Sequence, residues 1–272
     1  MLFLCIYIFA QILLESFPVS SSGHCVLLEK WYFCLHPSAV SSFESYFFLT
    51  KNMCKESFDA LLHAPTLIIL ALFFFKRWFL ILRHPIRCRS IIIKLAVYGT
   101  VTTVIALFFY FVVHIQNYAL PLGIGFLITL LLALSTYFLP SGLASLTLNS
   151  AVIIGLGQAI ALLPGISRLG TTYALARWLG ISSKRALEIS FMLQAPLLLA
   201  ACAKSMLTVT TLGCIDQVLN ITTLLVMIIA TVAAWYGLRI TYYSALYGHW
   251  WYFALYMIIP LSAWGVLTVI SY

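Results

Sequence analysis

Two short segments hold most of the residues able to do chemistry. In Glu15-Ser16-Phe17-Pro18-Val19-Ser20-Ser21-Ser22-Gly23-His24, a carboxylate, several hydroxyls, a glycine and a histidine fall close together in otherwise apolar chain. Gln11 precedes Glu15 by four residues, so a helix puts both on one face. In Pro164-Gly165-Ile166-Ser167-Arg168-Leu169-Gly170-Thr171-Thr172, a single guanidinium stands among hydroxyls and glycines. These groups suit phosphoryl chemistry. An arginine fork matches phosphate oxygens, and the backbone N–H groups of a Gly-rich turn add neutral donors. A carboxylate can hold a divalent cation against phosphate, and a serine beside a histidine can act as nucleophile with its base. The first segment lacks a cation and the second lacks an acid or base, so one phosphate site needs both.

Plainer readings compete. Serines and threonines at breaks in membrane helices also satisfy freed backbone groups, and Ser20, Ser22, Thr171 and Thr172 read equally well that way. Arg168 could snorkel to an interface, against which its Pro-Gly and Gly flanks argue. His63, His114 and His249 read as hydrogen-bonded packing residues, Lys204 as snorkelling or paired. Glu44, Lys51 and Glu56 read as an external, solvated face.

The elements that position the two segments follow from composition. Of 272 residues 63% are apolar and 8% charged, against roughly 25% charged in soluble domains. That excludes a soluble globular protein, a disordered chain and a coiled coil. The net charge of +8 comes from sparse Lys and Arg set between apolar runs, which reads as cytoplasmic-loop bias and not as nucleic-acid binding. The seven Cys form no CxxC pair, and their odd number speaks against a complete disulfide framework. The N-terminal run lacks a basic flank and a small-residue cleavage site, so it reads as retained.

Spans of about 20 apolar residues are predicted at Leu61–Leu82, Ile91–Val113, Tyr118–Leu139, Ala186–Leu212, Leu219–Ile240 and Trp250–Ile270. Met1–Leu14 and Ser150–Leu163 are short and run into the two chemical segments, which predicts re-entrant pieces. Basic residues at 76–94, then Arg177, Lys184 and Arg185, and lastly Arg239, set the cytoplasmic side. Both termini, Asp216 and the stretch Ser41–Asp59 then lie outside. A faint repeat matches Leu62-His63-Ala64-Pro65 with Leu193-Gln194-Ala195-Pro196, and Gln11 to Gly23 with Gln158 to Gly170. The fold expected is therefore an all-α polytopic membrane protein of six transmembrane helices plus two re-entrant segments. Residues 1–140 and 141–272 form inverted repeats, a pattern that points to a site near the bilayer midplane.

In this order and separation the segments resemble the bacterial undecaprenyl-diphosphate phosphatase family of the bacitracin-resistance type. Its first motif, (E/Q)xxxE then F-[LP]-P-[IV]-S-S-[ST]-G-H, is matched by Gln11, Glu15 and Pro18–His24, with Ser16 and Phe17 departing from its first two positions. Its second, PGxSRSxxT, matches Pro164–Thr172, and E-[FI]-S-F-x-L-x-x-P matches Glu188–Pro196. The resemblance covers essentially the whole chain. Departures are Gln11 where many members carry Glu, Leu169 in place of the second motif Ser, Asp59 in place of Glu, and Ala60–Pro65 in place of VVIQLG.

The resemblance implies hydrolysis of undecaprenyl diphosphate to undecaprenyl phosphate and inorganic phosphate, recycling the carrier for peptidoglycan and lowering bacitracin sensitivity. It implies a divalent cation, Mg2+ or Ca2+, and a multi-pass protein of the cytoplasmic (inner) membrane with its site on the outer side. The lipid substrate and membrane lipid are the partners expected, with no nucleic acid; a homodimer is compatible. The catalytic residues expected are Glu15, Ser21, His24 and Arg168. Ser20, Ser22, Gly23, Gly165, Ser167, Gly170 and Thr172 would bind substrate, and Glu15 and Gln11 the metal. Ser21, with His24 as its base or as the leaving-group acid, is the favoured nucleophile; His24 itself or water are the alternatives. A type-2 phosphatidic acid phosphatase is excluded, because His84 follows Arg83 where that family needs Pro, and Ala174 stands where it needs His. A prenyl-lipid flippase or transporter without hydrolysis is the non-enzyme alternative.

Overall fold

The computed structural model describes residues 2–36, 53–84, 86, 89–115, 120–140, 142–213, 215 and 220–270. Among them the regular structure is helical: α1 (Leu2–Leu14), α2 (Ser21–Leu35), α3 (Met53–Leu61), α4 (Ala64–Phe73), α5 (Phe75–Arg83), α6 (Arg89–Ile115), α7 (Leu122–Ser135), α8 (Leu148–Ile160), α9 (Arg168–Trp178), α10 (Ser183–Thr211), α11 (Ile221–Leu246) and α12 (Tyr252–Ile270). The stretches 37–52, with Glu44 and Lys51, and Arg87, Tyr118 and Asp216 lie outside the described residues.

Polar side chains start several of these helices. Thr147, Ser167 and Asn220 accept from N–H groups of the first turns of α8, α9 and α11, satisfying donors that no carbonyl within the helix reaches. Pro196 inside α10 and Pro260 inside α12 do not end those helices.

Of the six expected spans, α10, α11 and α12 are single helices long and apolar enough to cross a membrane. Ile91–Val113 falls within α6, whose apolar stretch Ala96–Phe109 is shorter. Tyr118–Leu139 yields the fourteen residues of α7 and a 3-10 turn at Thr136–Phe138. Leu61–Leu82 is not one helix but the end of α3, then α4 and α5. Pro65 gives the reason for the first break. It has no N–H, and its ring clashes with the carbonyl four residues back, and α3 stops there, at Leu61. Along α11, Leu224, Leu225, Ile228, Ile229 and Val232 are all exposed. So long an apolar stripe belongs against lipid, and the chain is a multi-pass membrane protein.

The core joins early and late elements. Ile8 and Ile12 of α1, Ile69 of α4, Ile154 of α8, Tyr173 of α9 and Leu187 and Leu193 of α10 form one buried cluster. Tyr173 stacks on Trp250 at 3.8 Å between ring centroids. Helix α1 packs on α11 and α8 on α6; α3 packs on α10, and α7 on α12. Arg177, expected as a free cytoplasmic charge, is buried instead. Its guanidinium donates to the carbonyls of Ile181 at 2.8 Å, Leu139 at 3.1 Å and Pro140 at 2.7 Å, because a cation inside the fold must be compensated.

Candidate active site

Helix α1 ends at Leu14, and the chain turns through Glu15–Ser20 before α2 begins. Ser20 is left-handed, with φ 57°, a conformation that non-glycine residues rarely adopt and that costs energy. It caps α2, its hydroxyl accepting from Gly23 N at 3.3 Å. The second turn is built similarly. Gly165 has φ +87°, and Ser167 caps α9 by accepting from Gly170 N at 3.0 Å. Arg168 is therefore the first residue of α9. Both turns feed the N-terminus of a helix, where free N–H groups and the helix dipole favour an anion.

The two turns approach closely where glycines stand. A Cβ on Gly23 would lie 2.7 Å from Gly165 Cα, and one on Gly170 would lie 3.2 Å from the Pro18 carbonyl. Two threonines hold the turns from outside. Thr129 of α7 donates to Gly165 O at 2.8 Å and accepts from Ser167 N at 2.9 Å. Thr241 of α11 donates to Ser16 O at 2.8 Å.

Between the turns is a small cavity of about 30 Å3, with Glu15, Ser20, Ser21, Ser22, Ser167, Arg168 and Gln194 among its lining residues. Glu15 is buried in its wall. Ser21 Oγ donates to Glu15 Oε2 at 2.6 Å, and Gln194 Nε2 donates to Oε1 at 2.8 Å. His63 Nδ1 lies 3.4 Å from Oε2. Arg168 Nε is buried and has no hydrogen-bond partner among the described residues.

The fold thus brings Glu15, the three serines, Ser167 and Arg168 to one cavity. The other expected residues stand around it. Gln11 Oε1 accepts from the Cys25 thiol at 3.2 Å. Gly23, Gly165 and Gly170 provide close approach, and the Thr172 hydroxyl turns back to the Arg168 carbonyl at 2.9 Å. The expected pairing of Ser21 with His24 is not the one formed. His24 Nδ1 donates to Ser20 O at 2.8 Å, a carbonyl being able only to accept, and Nε2 meets the Tyr256 hydroxyl at 3.2 Å. Both ring nitrogens are thereby engaged, and Ser21 turns to the carboxylate. His63, expected as packing, and Gln194 are the site residues that sequence reasoning missed. The repeat carried the signal, since the two occupy its same position.

Among the described residues no three His, Cys, Asp or Glu side chains converge. A divalent cation still fits. Mg2+ keeps several waters and takes one or two carboxylates together with substrate phosphates, which Glu15 and a diphosphate provide. Gln194 Oε1, a buried acceptor with no hydrogen-bond partner among the described residues, would be a further ligand.

A carboxylate–serine pair facing an arginine, between two helix N-termini in a lipid-exposed helical fold, defines a membrane protein with an anion-binding site suited to phosphate. The family described as "Bacitracin resistance protein BacA" matches residues 6–262, and the chain belongs to that family. It is 33% identical over 267 residues to an undecaprenyl-diphosphatase of Treponema denticola, covering 93% of this chain and 91% of that protein. It is 34% identical over 196 residues to one of Carboxydothermus hydrogenoformans, covering 70% and 67%. The identity to one of Pelotomaculum thermopropionicum is 30% over 197 residues, covering 69% and 68%.

Proposed function

We propose that this chain hydrolyses undecaprenyl diphosphate to undecaprenyl phosphate and inorganic phosphate. The observation that carries the reading is the 2.6 Å bond from Ser21 Oγ to Glu15 in the cavity that Arg168 also lines. Arg168 and the N-terminal N–H groups of α2 and α9 hold the diphosphate oxygens. Ser21 Oγ attacks the terminal phosphorus while Glu15 takes its proton. The bond from phosphorus to the bridging oxygen breaks, and undecaprenyl phosphate leaves. Water then attacks the phosphoserine, Glu15 returns its proton to Ser21 Oγ as the Oγ–phosphorus bond breaks, and inorganic phosphate is released carrying both protons of the water. Gln194 orients the carboxylate through its bond to Oε1. Glu15 would hold a divalent cation, whose charge would offset the negative charge of the diphosphate.

The architecture that goes with this reading is six spans and two re-entrant pairs, α1–α2 and α8–α9, in inverted repeats. Its support is the exchange of partners: α1 of the first half packs on α11 of the second, and α8 of the second on α6 of the first. The protein would sit in the bacterial cytoplasmic membrane with the cavity open to the outer side, where used carrier is released. A flippase without hydrolysis would need no serine held by a carboxylate.

The test is phosphate release by the purified chain in detergent, with and without divalent cation. Release from undecaprenyl diphosphate is expected, and none would leave the flippase. Rapid quench with terminally labelled substrate should leave label on the protein, whereas its absence would mean direct attack by water.

A further inference from the structure

We propose that a groove along the second half of α11 binds the headgroup of an anionic glycerophospholipid, with Arg239 taking its phosphate. The site is separate from the cavity at Glu15 and does not rest on the phosphatase reading. Between Gln217 and Tyr272, Arg239 is the only Asp, Glu, Lys or Arg. It stands on a helix long and apolar enough to cross a membrane, and it is exposed there. Charged side chains on such helices nearly always face the protein interior or pair with one another. Arg239 does neither: it makes no hydrogen bond or ion pair among the described residues.

Two faces of α11 are occupied. A Cβ on Gly237 would lie 3.1 Å from the Phe17 ring, and Thr241 donates to Ser16 O, so this face holds the first turn. On another face Trp235 and Tyr242 take the ring of Phe73, at 5.7 and 5.3 Å between centroids. A third face carries Tyr236, Ile240, Tyr243 and Tyr247 at helical intervals of four, three and four, with Arg239 beside them, and all five are exposed. Together with Ser244 and His249 they line a groove of about 410 Å3 that contains no carboxylate. Sites for small ligands measure about 300–1,000 Å3.

The chemistry of the groove selects its occupant. A guanidinium presents a planar fork that fits two phosphate oxygens, and the phenols and the Ser244 hydroxyl add neutral donors. The rings of Tyr243 and Tyr247 stack at 6.2 Å, and His249 follows at 6.4 Å. Such amphipathic rings suit the boundary between hydrocarbon and headgroups. Arg239 lies seven residues before Leu246, the last residue of α11, or about 10 Å along the axis. The negative end of the helix dipole acts within the last turn only, so it does not repel an anion held there. A cation that faces lipid with no protein counter-charge calls for a headgroup of net negative charge, the kind that basic pockets beside membrane helices bind. A zwitterionic headgroup brings its own cation and gains less.

Phosphatidylglycerol is the probe and phosphatidylcholine the zwitterionic reference, each titrated into the full chain in neutral detergent. Native mass spectrometry reads the lipid retained, and the thermal midpoint reads its effect. The wild type should retain phosphatidylglycerol about fivefold or more tightly than phosphatidylcholine. Its midpoint should rise with phosphatidylglycerol and not with inorganic phosphate. Arg239→Gln should remove the preference, and Arg239→Lys should keep part of it. Arg168→Ala should leave it unchanged, because Arg168 lines the other cavity. Equal retention of the two lipids by the wild type overturns the proposal with no variant needed. So does a preference that survives in monodisperse Arg239→Gln protein. Loss of the preference in Arg168→Ala overturns it too, and puts the lipid in the cavity at Glu15. Inorganic phosphate that protects as well as the lipid, or undecaprenyl phosphate that displaces it at equal concentration, overturns the choice of ligand.

Discussion

Ser21 Oγ donates to Glu15 Oε2 at 2.6 Å across the first turn, and this bond replaces the serine–histidine pair that proximity in sequence suggested. The five residues between them include left-handed Ser20, which starts α2 in the orientation that brings its first residue, Ser21, to the carboxylate. Glu15 and Ser21 should then behave as one unit. Glu15→Gln and Ser21→Ala are each expected to lower kcat about 10²–10⁴-fold. The double variant should be little slower than the worse single one. Multiplicative losses in phosphate-release assays would mean that the two act separately.

Arg168 supplies a planar fork that Lys cannot reproduce. Arg168→Ala should lower kcat about 10²–10³-fold or more, with Arg168→Lys between it and the wild type. A Lys variant as slow as the Ala variant would show that the geometry of the fork matters and its charge does not.

The turns leave no room at Gly23. A methyl there would lie 2.7 Å from Gly165 Cα, and overpacking of this kind costs about 1–3 kcal/mol. Gly23→Ala should therefore lower the thermal midpoint in detergent and widen the site. Gly99, where a Cβ would meet nothing within 4 Å, is the control, and equal effects at both positions would remove the packing role.

Thr129→Val deletes both bonds that α7 makes to the second turn. Leaving Gly165 O and Ser167 N without their partner should cost about 1–3 kcal/mol. Because Arg168 follows Ser167, kcat should fall more than stability alone explains, and recover in Thr129→Ser. Failure of Ser to restore turnover would assign the loss to packing of the methyl group.

Arg177 and Arg185 look alike in sequence and should differ on substitution. Arg177→Ala strips three carbonyls of a charged donor, each such bond being worth about 1.5–3 kcal/mol. Arg185 is exposed at the start of α10, and Arg185→Cys should leave the midpoint nearly unchanged. With the cavity open to the outer side, that cysteine should react with impermeant maleimide only after cells are opened. Labelling in intact cells would reverse the orientation.

The sequence by itself determined the solvent, the class and the chemistry. Apolar runs with few charges have no stable place outside lipid, so the membrane and the long helices α10, α11 and α12 were legible from composition and length. Glu15, Ser21 and Arg168 were legible because a carboxylate, hydroxyls and a guanidinium in apolar chain cost too much without a use. Only the tertiary structure decided how those groups pair. A hydrogen bond depends on direction, and the turns at Ser20 and Gly165 set directions that neighbouring residue types do not encode. His24 is three residues from Ser21, yet it faces Tyr256, which comes from the last helix. Gln194 reaches Glu15 across 179 positions of chain, and Arg177 was indistinguishable from a loop charge until three distant carbonyls closed around it. Local sequence set some helix ends, through Pro65 and the caps at Thr147, Ser167 and Asn220, while Pro196 and Pro260 lie inside unbroken helices. The partners of each side chain depended on which helices packed together, a result of the whole chain burying its apolar faces.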